Sequence, residues 1–223
     1  MIEHMHAAKT AGQSSEKEAI LGYMAHYYDL VTWLMTWGKE KALRKKEVEL
    51  ALIEPDSSIL EIGCGTGSLT LAAQARLGPS GRLVGIDAAP EMIEVARRKA
   101  ARAGANINFQ VAFIQDIPYP ADSFDRIMCS FMIFHMSAGV RLKGFSEIRR
   151  VLKPGGRLLL VDTGLPSQVW KQTLLKKFMA AMIEHELKEL IPLMQETGFT
   201  HIETGPTGFD MVSFLRGQIE KEG

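Results

Sequence analysis

Beyond Pro55 the chain alternates short apolar strands with amphipathic helices, and this rhythm limits the folds open to it. Residues 58–62, 82–87, 107–113, 124–134 and 157–162 read as strands. Between them lie a helix over 69–77 ended by Gly78-Pro79, and one starting at Pro90 that carries Met92, Ala96, Ala100 and Ala103 on one face. A further helix is marked by Phe145, Ile148 and Leu152 and stopped at Lys153-Pro154-Gly155-Gly156. A long amphipathic helical region then runs to Thr197 with a bend at Pro192. Residues 201–204 and 211–215 close the chain as a hairpin through Gly205-Pro206-Thr207-Gly208. Strands separated by helices must pair in parallel through right-handed crossovers, with helices on both faces. Ligands in such sheets bind beyond the carboxyl ends of the strands, where the strand order reverses, so the residues just after each strand carry the chemistry.

The expected architecture is α/β: a Rossmann-like, doubly wound, mostly parallel seven-stranded sheet with an antiparallel C-terminal hairpin strand. A single domain over 1–223 is expected, with a polar tail over 1–15, an N-terminal helical cap over 16–53 and the core over 54–223. Lys plus Arg and Asp plus Glu are equal at 26 each, so no net field draws the chain to nucleic acid. Two cysteines, Cys64 and Cys129, exclude a disulfide scaffold and a four-cysteine zinc site. The longest apolar stretch, 127–136, is about half of what crosses a bilayer. A polar N-terminus without an apolar signal core points to a cytoplasmic protein. His4 and His6, in the tail, read as loose surface histidines and not as a metal site.

The first strand runs into Glu61-Ile62-Gly63-Cys64-Gly65-Thr66-Gly67. Glycine lets the chain turn sharply and lets a ligand lie against backbone. Dinucleotide enzymes use similar loops, but their fingerprint would place a third glycine at 68, where this chain has Ser68. Asp87, about twenty residues on at the end of the second strand, is placed to accept hydrogen bonds from ribose hydroxyls. That acid indicates a nucleoside without choosing between NAD and another adenosine, and capping of the following helix is its other reading.

Taken together, these segments resemble the class I S-adenosylmethionine-dependent methyltransferases, over roughly residues 57–215. The loop matches that family's acidic-x-Gly-x-Gly-x-Gly pattern. Gly85-Ile86-Asp87-Ala88-Ala89-Pro90-Glu91-Met92 is similar to its ribose-binding segment, and Gln115-Asp116-Ile117-Pro118 to the segment whose acid meets the adenine amino group. Phe124-Asp125 and Arg150-Val151-Leu152-Lys153-Pro154-Gly155-Gly156 complete five matches in order. The resemblance implies S-adenosylmethionine as cofactor, held by Glu61, Gly63, Cys64, Gly65, Thr66, Gly67, Asp87, Ala88, Met92, Asp116 and Ile117, with Ser130 as a wall. Asp125 and the Lys-Pro-Gly-Gly turn read as architectural.

The acceptor half is less legible, because the sulfonium methyl is already an electrophile and the protein need only align a nucleophile and exclude water. His135, just past the fourth strand, is the candidate general base, or else a pocket-shaping histidine. Asp162 ends the fifth strand, where it orients substrate or caps the next helix. Tyr27, Tyr28 and Trp33 are candidates for covering the pocket; Tyr27-Tyr28-Asp29-Leu30 loosely resembles the entry segment of quinone- and phospholipid-methylating relatives. No Asn-Pro-Pro-Tyr or Asp-Pro-Pro-Tyr segment, no Pro-Cys nucleophile and no Asp-Asn pair at Asp162-Thr163 is present, which sets aside adenine, cytosine and magnesium-dependent catechol methylation. The expected partner is a small, apolar or lipid-like acceptor; neither nucleic acid nor a metal is implied. An NAD-dependent oxidoreductase and a non-catalytic nucleoside-binding module are the rival readings.

Overall fold

The computed structural model describes residues 38–163, 187–209 and 212–220. The tail, most of the helical cap with Tyr27, Tyr28 and Trp33, and most of the long helical region before Pro192 lie outside the described residues. The elements in chain order are α1 (Glu40–Leu50), β1 (Ser58–Ile62), α2 (Ser68–Gln74), β2 (Arg82–Asp87), α3 (Pro90–Ala103), β3 (Asn108–Val111) and β4 (Phe124–Ser130). They continue with α4 (Ala138–Val151), β5 (Leu152–Thr163), α5 (Ile191–Glu196), β6 (Phe199–Pro206) and β7 (Val212–Ile219), and single 3-10 turns lie at Ile133–His135 and Leu187–Leu190.

The sheet has seven strands in the order β3-β2-β1-β4-β5-β7-β6. β1 pairs in parallel with β2 and β4, β2 with β3, and β4 with β5, while β7 runs antiparallel to both β5 and β6. The chain moves outward from β1 through β2 to β3 and then returns to the other side of β1 for β4. The order therefore reverses between β1 and β4, and their carboxyl ends open the crevice in which such sheets bind ligands.

Alternation along the central strands sorts the core into two faces. Leu60, Ile62, Ile127, Cys129, Leu158 and Leu160 pack on one face with Phe145 and Ile148 of α4. Ile59, Met128, Leu159 and Val161 pack on the other with Val48 of α1, Ala51 just beyond its end, and Leu69 and Ala73 of α2. The period of two puts Glu61 on the α1 side with Ile59, and Ser130 there with Met128. Pro90 opens α3 at its first turn, Met92, Ile93, Ala96 and Ala100 form its buried stripe, and Gly104 ends it in the left-handed conformation at φ 62°.

Several boundaries differ from the sequence reading, among them β3, which ends at Val111, and β7, which runs on to Ile219. The fourth strand stops at Ser130, four residues short of Phe134, because Phe131 turns the chain at φ 54° and the apolar run continues as a 3-10 turn. Lys153-Pro154-Gly155-Gly156 lies within β5, whose pairing begins at Phe124↔Leu152, shifts register and resumes at Arg126↔Arg157. Among the described residues no helix is long and apolar enough to cross a membrane.

Candidate active site

Gly63, Gly65 and Gly67 follow β1 at φ 69°, 51° and 79°. Three left-handed residues in five fold the loop back on itself, and the Gly67 N–H donates to the Cys64 carbonyl at 2.8 Å. The loop is closely packed from below. A Cβ on Gly67 would stand 2.8 Å from Cζ of Phe109, and one on Gly85 would stand 2.6 Å from the same ring. A Cβ on Gly63 would stand 2.9 Å from the Met132 side chain, so the segment after β4 rests directly on the loop.

Asp87 ties this loop to β2 and α3. Its Oδ2 accepts from the Gly65 N–H at 2.8 Å and its Oδ1 from the Ala89 N–H at 2.9 Å. Burial pushes its carboxyl above the usual value, opposed by the backbone N–H groups of Ala89, Gly65 and Ala88. A carboxylate offers about four acceptor positions, so the group keeps capacity for hydroxyls in the crevice. Ala88 is exposed beside it and Met92 is buried on α3. Ala89 is the N-cap residue of α3 and no side chain caps that helix, so Asp87 bonds the residue before the first turn and not the helix's own N–H groups.

Glu61 lies under the loop, fully buried, and accepts from the Thr70 hydroxyl. Burial pushes its carboxyl up to about 8; the Thr70 hydrogen bond and the Arg44 charge oppose the rise, and Glu47 and Asp87 add to it. Arg44 and Glu47, both on α1, are functional candidates that the sequence reading missed. The Arg44 Nη1 donates to Glu47 Oε2 at 2.9 Å and to Ser130 Oγ at 3.0 Å, and Ser130 Oγ donates to Glu47 Oε1 at 2.5 Å. The guanidinium lies 5.9 Å from the centroid of the Phe131 ring. The available signal was two opposite charges at i and i+3 on the stripe set by Leu43 and Val48. So Ser130 ends β4 with its hydroxyl engaged by α1.

The remaining predicted positions spread along the same edge. Thr66 is buried and its hydroxyl accepts from Lys99 Nζ at 2.9 Å. Cys64 is buried, and burial pushes its thiol up, away from the thiolate form a nucleophile needs. Ile117 is buried, its N–H donating to Glu147 Oε2 at 2.9 Å and its carbonyl accepting from Arg150 Nη2 at 3.0 Å, so α4 fixes the loop after β3. Asp116 is exposed and bridges to Phe113. Asp162 is 5% exposed near the end of β5. His135 sits in the 3-10 turn after β4; its side chain lies outside the described residues. Among the described residues no group of His, Cys, Asp or Glu could hold a metal ion.

Comparison with known proteins agrees with this geometry. Residues 59–156 match the family described as a methyltransferase domain. The fold and the loop are those of the segment that matches: residues 59–156 are similar to a methyltransferase domain. The chain is 35% identical over 145 residues to the ubiquinone/menaquinone biosynthesis C-methyltransferase UbiE of Geotalea daltonii, covering 64% of this chain and 61% of that one. It is 37% identical over 139 residues to the demethylmenaquinone methyltransferase of Thermus thermophilus, covering 62% of each. The chain thus spans about three fifths of the length of these relatives. A solved structure of a SAM-dependent methyltransferase from Aquifex aeolicus superposes with TM-score 0.65 at 19% identity, covering 79% of this chain and 89% of that one.

Proposed function

We propose that the protein transfers a methyl group from S-adenosylmethionine to a small, apolar acceptor of the quinone type. The observation that carries the reading is a left-handed glycine loop between two carboxylates, Glu61 beneath it and Asp87 beside it, at the sheet's reversal point. The donor set fits the cofactor. Asp87 takes the ribose hydroxyls, Ala88 and Met92 flank the adenine, and Asp116 with Ile117 borders its amino edge. Glu61 faces the ammonium of the methionine moiety under Gly63, Cys64, Gly65, Thr66 and Gly67. Bound there, the cofactor supplies a methyl on a cationic sulfur. The chain's task is to hold an acceptor in line with that bond and keep water out.

The acceptor side is built by the segment after β4. Met132 lies against Gly63, so an acceptor beside Phe131 and Met132 would meet an apolar wall next to the cofactor loop. His135 is proposed to take the acceptor's proton and Asp162 to orient it, with Tyr27, Tyr28 and Trp33 covering the pocket. The quinone class is supported by what the two relatives are named for. Rossmann-like folds host many chemistries, so the fold alone is not the argument.

The test is calorimetric titration with S-adenosylmethionine, S-adenosylhomocysteine and NAD, followed by a release assay for S-adenosylhomocysteine with a demethylated naphthoquinone. Selective binding of the first two and quinone-dependent release are expected. Asp87→Asn keeps the shape but turns one acceptor oxygen into an NH2 donor, so a ribose hydroxyl loses its charged acceptor at a cost of about 1–3 kcal/mol and affinity falls roughly tenfold or more. NAD binding in place of S-adenosylmethionine, or unchanged affinity in Asp87→Asn, would overturn the assignment.

A further inference from the structure

Beside the cofactor loop, helices α1, α2 and α3 leave an open groove of about 560 Å³, a size that suits a small molecule. Lys41 and Arg44 line it from α1, Lys99 and Arg102 from α3, and Leu71 and Ala72 from α2. Loop residues 63–67, Glu61 and Asp87 are not among its described lining residues, so the groove is separate from the crevice at the sheet's reversal point.

Its charge is uneven. Each helix brings its two cations at i and i+3, which sets both on one side of the helix. The four cations stand against Glu40 in the lining and Glu47 behind Arg44, so positive groups outnumber acids by two in a chain whose charges balance overall. Arg102 lies in the last turn of α3, where the helix dipole favours a cation, but Lys41 lies in the first turn of α1, where the dipole opposes one. Helix stability thus accounts for Arg102 and not for Lys41. Among the described residues neither of these two forms an ion pair.

The other two cations are already held in place. Arg44 is 8% exposed, and its Nη1 is fixed by Glu47 and Ser130. Its Nε is buried without a hydrogen-bond partner, 3.7 Å from Glu40 Oε1. A buried guanidinium donor left in this way gains when an anionic oxygen reaches it. Lys99 Nζ donates to Thr66 Oγ1 at 2.9 Å and to Ser68 Oγ at 3.2 Å. Neither side chain has to be ordered as a ligand arrives, which lowers the entropic cost of binding.

We propose that this groove is a second ligand site, distinct from the cofactor crevice, that takes a phosphate group joined to an apolar portion. Lys41, Arg44 and Arg102 meet the phosphate oxygens, and Leu71 and Ala72 meet the apolar portion. A phosphate brings about two negative charges and three acceptor oxygens, so α1 and α3 can engage it together, whereas a carboxylate carries half that charge in one plane. The group belongs to a soluble phosphate ester or to a lipid headgroup.

Calorimetric titration of the full chain with 1-naphthyl phosphate and with inorganic phosphate tests the soluble source. Co-sedimentation with vesicles of phosphatidylcholine, alone or mixed equally with phosphatidylglycerol, tests the headgroup. Two double variants remove the same charge from exposed positions on the same helices: Lys41→Met with Arg102→Met inside the groove, and Lys45→Met with Arg98→Met outside it. The first is expected to weaken the ester or the anionic vesicles about tenfold, and the second to change them less than about twofold. Ala72→Phe, which fills the groove without altering charge, is expected to erase the preference for the ester over inorganic phosphate. Ester binding alone assigns a soluble phosphate, and vesicle binding lost in the groove variant assigns a headgroup; either supports the site. Equal weakening by the two double variants means diffuse surface charge and overturns it, as does no binding in either arm. Equal affinity for ester and inorganic phosphate also overturns it, and so does mutual displacement of the ester and S-adenosylmethionine. A chain that binds the ester and not S-adenosylmethionine supports this site and overturns the cofactor reading alone.

Discussion

Gly85→Ala isolates how tightly the floor of the loop is built. Gly85 is in the middle of β2, paired with Glu61 on one side and Phe109 on the other. An added Cβ would stand 2.6 Å from Cδ1 and Cε1 of Phe109 and 3.1 Å from Cys64 Sγ, where ordinary carbon contacts begin near 3.5 Å. The ring is 2% exposed and packed with Ile93, Ala96 and Ala100, so it has no space into which to retreat. Its far edge also fills the place of a Cβ on Gly67. One methyl therefore forces the ring, the strand or the loop to move, at a cost of about 1–3 kcal/mol. For a domain of this size a loss of about 2 kcal/mol lowers Tm by about 4–8 °C. Urea and thermal unfolding would read the loss, and S-adenosylmethionine titration would read the displaced loop. Phe109→Leu alone costs packing, but combined with Gly85→Ala it opens room for the methyl, so a double-mutant cycle should give a favourable coupling above about 0.5 kcal/mol. A single variant as stable as wild type, or strictly additive losses in the double, would refute the argument that this ring fixes the loop.

Two further substitutions separate charge from architecture. Glu61→Gln probes the cost of a buried acid: the folded-state value of about 8 lies above the unfolded 4.5, so wild-type stability falls as pH rises between the two. The variant should lose this slope and be more stable than wild type above pH 8 by on the order of 2–4 kcal/mol, which urea midpoints at pH 5 and 8.5 would show; an unchanged slope contradicts the assignment. Asp125→Ala acts at the other end of the sheet, where Oδ2 accepts from the Ser58 N–H and from Lys153 Nζ, both at 2.8 Å. Burial alone would raise this carboxyl, but the Lys153 and Ser58 hydrogen bonds and the charges of Lys153 and Arg126 hold it below its usual value. Its contribution is thus present above the ordinary aspartate pKa and lost as pH falls through that range. The variant should cost about 1 kcal/mol with cofactor affinity intact, and a loss of affinity would contradict its placement away from the site.

The parts legible in the sequence are those governed by local rules. Alternation of period two and the helical stripe of α3 are written in consecutive residues, as is a glycine loop that only left-handed conformations satisfy. The strand bounds were less legible: Phe131 carries the same apolar character as Met128, and nothing local marks its turn. Lys153-Pro154-Gly155-Gly156 has turn chemistry, yet β5 passes through it because β4 offers a partner on both sides of the register shift. Arg44 and Glu47 were hidden for a different reason. On a helix reading Glu-Lys-Ala-Leu-Arg-Lys-Lys-Glu-Val-Glu-Leu, charge suggests solvent, and the partner that shows otherwise, Ser130, is 86 and 83 residues away.

The balance of these buried charges also bears on which adenosine ligand the crevice suits. Around the loop, among the described residues, stand the carboxyls of Glu47, Glu61 and Asp87 and the guanidinium of Arg44. Lys99, on α3, is engaged with the hydroxyls of Thr66 and Ser68. A dinucleotide would lay two negative phosphates over this loop, and above pH 8, where Glu61 is ionised, they would face a surplus of carboxylates in a site where water screens little. S-adenosylmethionine instead brings a sulfonium and an ammonium, and these offset the surplus. Both ligands share the adenosine that Asp87 is proposed to hold, so the ribose contact cannot separate them; the acids beneath the loop can. The same asymmetry favours the charged cofactor over S-adenosylhomocysteine, its uncharged-sulfur product. The preference for the sulfonium should weaken as pH falls and Glu61 takes up a proton.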